Sequence, residues 1–202
     1  MPRTPDGDHF VVFGLDRRMN LDLADLEKRF YTLSRKLHPD NFYRASREEQ
    51  ESSLDQSARL NDAYRTLRDP VTRAEYLLSL EGQPVEKKGS GVPPELLEEV
   101  FALNEWLAEL RAAAPEPAQT THRAEVEAQL LRAKANLEKR LEASLAELQT
   151  LFVRWDAALA AGGSQPGRTA IIESVGKVLA KRKYLQNLVD EVSAALAGAA
   201  AR

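Results

Sequence analysis

The chain has 202 residues, 43% of them hydrophobic, with a formal net charge of −3 and no cysteine. It is long enough to bury a core as one domain or two small ones. Without cysteine it can build no disulfide, thiolate zinc site, cysteine-ligated iron–sulfur cluster or cysteine nucleophile, and its near-neutral balance gives no general affinity for nucleic acid. No apolar run reaches the length of a membrane span and no basic-then-apolar leader opens the chain, so a cytoplasmic protein is expected.

Apolar residues recur at intervals of three and four almost throughout, and the class is all-α. A short element over Asp8 to Leu15 ends at Gly14. Asp22 then opens a helix whose face carries Leu26, Phe30, Leu33 and Leu37, and Pro39 stops it. A second long helix begins at Ser46, where Glu49 completes a capping-box pattern, and runs through Leu54, Ala58, Asn61 and Leu67. The two form an antiparallel hairpin. Asp69 and Pro70 start another helix carrying Ala74, Leu77, Leu78 and Leu80. Glycine, proline and lysine then collect between Glu81 and Pro94, which places a domain boundary there. Three further helices, over Pro94 to Arg111, Thr121 to Ala161 and Pro166 to Ala197, predict an antiparallel three-helix bundle. The expected division is residues 1–82, a linker over 83–94, and a bundle over 95–202.

Helix positions advance by about 100°, so Lys28, Arg29, Arg35 and Lys36 gather roughly 130° from the apolar stripe of their helix. By itself this describes an ordinary solvated face. It leads, however, directly into His38, Pro39 and Asp40, a rigid polar corner that would lose little entropy on docking. His38 and Asp40 could in principle act as a base and its orienting carboxylate, but in a tight turn they are expected to point apart. No nucleophile or phosphate-cradling glycine loop accompanies them, so no enzyme is expected.

A basic helix face, a His38-Pro39-Asp40 loop and an antiparallel partner helix resemble the J domain of the DnaJ family. The run from Gln56 to Pro70, followed by Arg73 to Leu80, is similar to the HscB-type J-domain co-chaperones of iron–sulfur cluster assembly, densely over residues 8 to 80 and more loosely beyond. The resemblance implies an N-terminal J domain, a helical hairpin with short flanking helices, followed by a C-terminal three-helix bundle. It implies a protein that stimulates the ATPase of a DnaK/HscA-type chaperone through Lys28, Arg29, Arg35, Lys36, His38, Pro39 and Asp40, and delivers an IscU-type scaffold to it. A J protein serving another client, or a helical adaptor without chaperone coupling, is the alternative. A monomer needing no cofactor or metal and binding neither nucleic acid nor membrane is expected. The cysteine-rich zinc element of some eukaryotic members has no counterpart among these residues.

In the helix after Pro94, Leu96, Val100, Leu103, Leu107 and Leu110 make the core stripe, while Leu97 and Phe101 lie about 100° to 140° around from it and should be partly exposed. Glu105 and Glu109 continue their ridge. The last helix turns Ile171, Val175, Val178, Leu185, Val189 and Val192 inward and leaves Tyr184 off that stripe. By the resemblance, Leu97, Phe101, Glu105, Glu109 and Tyr184 form the scaffold-binding face, with Glu98 and Ala102 departing from the bacterial pattern. On pattern alone, Leu97 and Phe101 could equally serve a helix with two neighbours. His9 and His122 have no second ligand at helical spacing and fit surface or capping roles. Trp106 lies about 80° from its core stripe. Trp155 should pack in the bundle, Tyr64 and Tyr76 in the first domain. Arg182, on the inward side, should reach an acidic partner or extend past the core.

Overall fold

The structure, a computed structural model, describes residues 7–83, 92–112, 120–162 and 165–200, all helix, turn and loop. The expected linker falls largely on residues 84–91, and the expected helix stop over 115–117 and Gly163 fall elsewhere outside the described set. Among the described residues seven α-helices follow in order: α1 His9–Val12, α2 Leu23–Leu37, α3 Arg47–Arg68, α4 Pro70–Leu80, α5 Leu97–Ala112, α6 Thr120–Ala160 and α7 Gln165–Ala200. A 3₁₀ turn over Pro39–Phe42 leads from α2 towards α3, and another over Pro94–Leu96 precedes α5.

The helix starts are written locally. Asp22 accepts from the backbone of Ala24 and Asp25, and Asp69 from Val71 and Thr72 with Pro70 at the first helical position. Ser46 and Glu49 exchange both bonds of a capping box, and these hydrogen bonds hold Glu49 below the usual carboxylate range. Gly14 and Gly162 close their helices at φ of 62°, a conformation that glycine adopts without a Cβ penalty.

The chain divides into two compact units. The first combines Met1–Pro84 with Gln149–Val175, and the second combines Val85–Leu148 with Gly176–Arg202. This departs from the linear division expected at 83–94, because the end of α6 and the start of α7 join the N-terminal unit. Trp155, expected in the bundle, is instead buried in this first unit, where its indole Nε1 donates to the Arg17 carbonyl at 3.0 Å. The next residue, Asp156, accepts from the backbone N–H of Met19 at 2.8 Å and of Asn20 at 2.9 Å. Arg73 is buried in the same unit, donates to the Leu67 carbonyl at 2.5 Å and lies 5.8 Å from the Phe152 ring centroid. Burial draws its guanidinium below its ordinary pKa.

Within α3 the buried residues are Ser53, Leu60, Ala63 and Leu67, whereas Leu54, Ala58 and Asn61 face solvent. The inward stripe therefore starts on a serine, for a reason that lies at the end of α2. Tyr64 stacks on Phe30 at 4.2 Å, so this aromatic packs as the pattern implies. At α1, the buried Asp8 carboxylate accepts from Phe10 N at 3.0 Å and Arg17 Nε at 2.9 Å, and the Tyr76 hydroxyl reaches it at 3.4 Å. The His9 ring stacks on Tyr76 at 4.3 Å. Burial lowers the His9 pKa from its ordinary 6.5, against the opposing pull of Asp8. Between the folded and unfolded pKa values the unfolded chain holds a proton that the folded one does not. The stabilisation is complete above the unfolded value and is lost as pH falls towards the folded one. Lowering pH from about 7.5 to about 5.5 should therefore depress the melting temperature more in the wild type than in His9→Phe, which keeps a ring but cannot titrate. Parallel pH profiles would refute this.

The second unit holds an apolar cluster. Leu96, Val100, Leu103, Leu107 and Leu110 meet Val126, Leu130, Leu137 and Leu141 of α6 and Leu185, Val189, Val192 and Ala199 of α7. Trp106 is half-buried against this cluster. Arg182 pairs with no acidic side chain among the described residues: its Nη1 donates to the Leu141 carbonyl at 2.6 Å and to Ser144 Oγ at 2.9 Å. A buried serine and a helix carbonyl offer acceptors within reach, so the cation is solvated from inside the bundle.

Candidate functional site

α2 ends because the residue before a proline is driven out of the helical region. His38 adopts φ −61° and ψ 130°, and Pro39 starts the following 3₁₀ turn. The last carbonyls of a helix lack intrahelical donors, and at α2 three side chains supply them. Ser53 and Ser57 of α3 both donate to the Leu37 carbonyl, at 2.9 and 2.8 Å. Asn41 Nδ2 donates to the Arg35 carbonyl at 2.7 Å, and its backbone N–H bonds His38 O at 2.9 Å. Gln50 ties the rest of the loop by donating to the carbonyls of Tyr43 and Ala45. None of these side chains stands out by hydrophobic pattern or charge. The only local signal is an Asn in the turn and two serines at i, i+4 on the face of α3 that opposes α2.

His38 and Asp40 are exposed and Pro39 is half-buried. The Asp40 N–H donates to His38 Nδ1 at 3.3 Å, and Nδ1 lies 3.4 Å from Asp40 Oδ2. The two side chains thus converge, contrary to the expectation that they point apart, because His38 caps the 3₁₀ turn and its ring is drawn over the turn's first N–H. Accepting that bond leaves Nδ1 without a proton in the neutral imidazole. The arrangement orders a polar corner; the residues pinning it are backbone-capping serines and amides.

Of the four cations expected on the α2 face, Lys28, Arg35 and Lys36 are exposed and enter no ion pair among the described residues. Arg29 is different. Its Nε lies 2.7 Å from Asp25 Oδ2 and its Nη1 donates to the Phe13 carbonyl at 2.9 Å, so it fastens the α1–α2 connection.

On α5, Leu97 is 41% exposed and Phe101 71% exposed. Glu105 is exposed on the same ridge, and Glu109 is half-buried with Oε2 3.5 Å from His122 Nε2. Tyr184 of α7 is half-buried against the bundle core. Burial, with the charge of Glu191 adding to it, raises its hydroxyl pKa. Lys181 Nζ lies 3.8 Å from Glu95 Oε1, which sets α7, one turn before Tyr184, beside the start of α5. Ala102 turns away from the ridge into a groove of about 420 Å³ shared with Glu99, Trp106, Gln129, Arg132, Ala133 and Asn136. Among the described residues no three His, Asp or Glu side chains gather as a metal site would require.

A helical hairpin with a basic outer face and a proline-fixed His-Pro-Asp corner defines a J-domain protein, and residues 8–76 match the DnaJ domain family. The chain is 36% identical over 140 residues to the co-chaperone protein HscB homolog of Aliivibrio salmonicida, covering 68% of this chain and 82% of the relative. It is 41% identical over 113 residues to the HscB homolog of Vibrio cholerae, across 55% of this chain and 66% of that one. Among solved structures, human co-chaperone protein HscB aligns with a TM-score of 0.61 at 26% identity, over 95% of this chain and 83% of that chain. Chaperone HscB from Vibrio cholerae aligns at 0.53 and 32% identity, over 91% and 98%. The chain belongs to the HscB family of J-domain co-chaperones. A J domain in this family implies an Hsp70-type chaperone as partner and a regulatory rather than enzymatic role.

Proposed function

We propose that this protein stimulates the ATPase of a DnaK/HscA-type chaperone and delivers to it an IscU-type scaffold in iron–sulfur cluster assembly. The observation that carries the reading is the exposed His38, Pro39, Asp40 corner, held rigid by Asn41, Ser53 and Ser57 and continuous with Lys28, Arg35 and Lys36. A preordered corner loses little entropy on docking, and the cations steer it towards an acidic surface. Arg29 contributes by holding α2 in place.

The client face is the ridge Leu97, Phe101, Glu105 and Glu109, with Tyr184 at its side. An aromatic exposed to the degree of Phe101 is costly to leave in water and is the kind of residue that anchors interfaces. Ala102 and the exposed Glu98 confine the apolar part to Leu97 and Phe101. The protein acts as a monomeric tether: the bundle holds the scaffold, the J domain engages the chaperone, and the linkage raises the client's local concentration at the chaperone. It breaks no bond itself and works by preferring one state of its partner.

With purified DnaK-type chaperone and ATP, wild type should accelerate hydrolysis, His38→Gln should return it to the basal rate, and raised salt should weaken the effect. Equal stimulation by the variant would defeat the chaperone half of the proposal. Leu97→Ala with Phe101→Ala should lower capture of an IscU-type scaffold by about tenfold or more and leave ATPase stimulation without client unchanged. Undiminished capture would remove the client face.

A further inference from the structure

Tyr31 lies on the solvent side of α2, about 130° from its apolar stripe, and has no part in the fold's core. Its side chain is 56% exposed, and its hydroxyl finds no hydrogen-bond partner among the described residues. Lys28 precedes it by three positions and Arg35 follows by four, so both lie within about 60° of it around the helix axis. Lys36 lies about 140° from it, on the other flank of the solvent side, and Glu27 lies about 40° from it on the side away from Lys28 and Arg35. The ring is nevertheless not loose: it makes a tilted contact with Phe30 at 5.6 Å between centroids, and Phe30 in turn stacks on Tyr64 of α3 at 4.2 Å. A purely electrostatic docking face gains nothing from a large half-apolar ring along its edge. A face with an anchor gains much, since a few aromatic residues, shielded from water once docked, carry a disproportionate share of binding energy.

We infer that Tyr31 is the apolar anchor of the chaperone-docking face, inserting into an apolar depression within an acidic surface of the Hsp70-type partner. This rests on the docking reading above and adds a residue to it. The occupant follows from charge complementarity with Lys28 and Arg35 beside the ring, and from continuity along α2 with the His38 corner. Cations give encounter rate and register, and their contribution is screened by salt. A buried ring gives lifetime, and its contribution is not. The phenol's hydroxyl is free to meet a polar group at the rim of the depression.

The test titrates wild type, Tyr31→Ala, Tyr31→Phe, Tyr31→Lys and His38→Gln against purified DnaK-type chaperone and ATP, at low and high salt. Tyr31→Ala should raise the half-saturating concentration about 10- to 30-fold, by the same factor at both salt concentrations, and leave the stimulation at saturation intact. Tyr31→Phe should stay within about threefold of wild type. Tyr31→Lys adds a cation and should still weaken binding; equal or tighter binding would mean that charge alone governs the face and would overturn the inference. Melting temperatures should be unchanged, because the ring is exposed. Wild-type half-saturation by Tyr31→Ala, with His38→Gln inactive, overturns the anchor and leaves the docking reading standing. Full stimulation by His38→Gln overturns both.

Discussion

Replacing Trp155 with alanine is expected to destabilise the unit that carries the His38 corner by about 3–5 kcal/mol, the range for emptying a buried aromatic site. The ring is among the largest fully buried side chains of the protein. Its N–H also satisfies the Arg17 carbonyl, and Asp156 beside it caps the N–H groups of Met19 and Asn20. Truncation therefore leaves a cavity and orphans a carbonyl, and it loosens the segment that leads into Asp22 and α2. Trp155→Phe keeps most of the volume and loses only the N–H, so it should cost about 1–2 kcal/mol. Amide exchange reads the effect where it arises: protection of Met19 and Asn20 should collapse in Trp155→Ala, along with stimulation of the chaperone at temperatures where the unit has melted. A loss below about 1 kcal/mol, or protection at Met19 like that of wild type, would show that Trp155 does not hold this unit together.

That a tryptophan late in the chain stabilises the unit bearing the N-terminal hairpin shows where sequence patterns stop. The Trp155 pattern says that the residue is buried and is silent on its neighbours. Helices α6 and α7 run unbroken past Leu148 and Val175: Gly176 does not interrupt α7, and no proline or cap marks the point at which either helix passes from one compact unit to the other. Where the chain carries punctuation, the reading succeeds. Asp22, Ser46 with Glu49, and Asp69 with Pro70 start helices as their capping chemistry requires, and the five-residue core stripe from Leu96 to Leu110 is buried throughout. The exposure of Leu97 and Phe101 was equally legible, because it depends only on angle around one helix.

The site itself was legible in what it presents and not in what holds it. His38 and Asp40 are exposed with Pro39 half-buried between them, and three of the four cations lie open, as helical projection indicates. Arg29 is indistinguishable from Lys28 by composition, and only the path of the chain brings the Phe13 carbonyl to it. The inward stripe of α3 was harder still. Hydrophobic periodicity favours Leu54, which is 56% exposed, over Ser53, which is buried. A serine goes inward when it completes a hydrogen bond, and its partner, the last carbonyl of α2, has no sequence signature of its own.

Removing both serines should therefore damage function out of proportion to the atoms lost. A carbonyl has two lone pairs, and the Leu37 oxygen uses them on Ser53 and Ser57. Either single alanine variant leaves one donor in place and should cost about 0.5–1.5 kcal/mol. The double variant leaves the carbonyl at the root of the corner unsatisfied beside packed helix, a penalty of about 1–3 kcal/mol on top of the lost bonds, so its effect should exceed the sum of the singles. The corner can relieve this by fraying the last turn of α2 into water, which disorders His38 and turns the basic face. Apparent affinity then falls with the population of the ordered corner, by about 10- to 100-fold for a shift of this size. Stimulation should recover at high concentrations of the double variant, since the docking residues are untouched. Leu54→Ala on the solvent side of α3 should behave as wild type. Simple additivity in both the melt and the titration would mean that the two serines fill space and do not hold the corner.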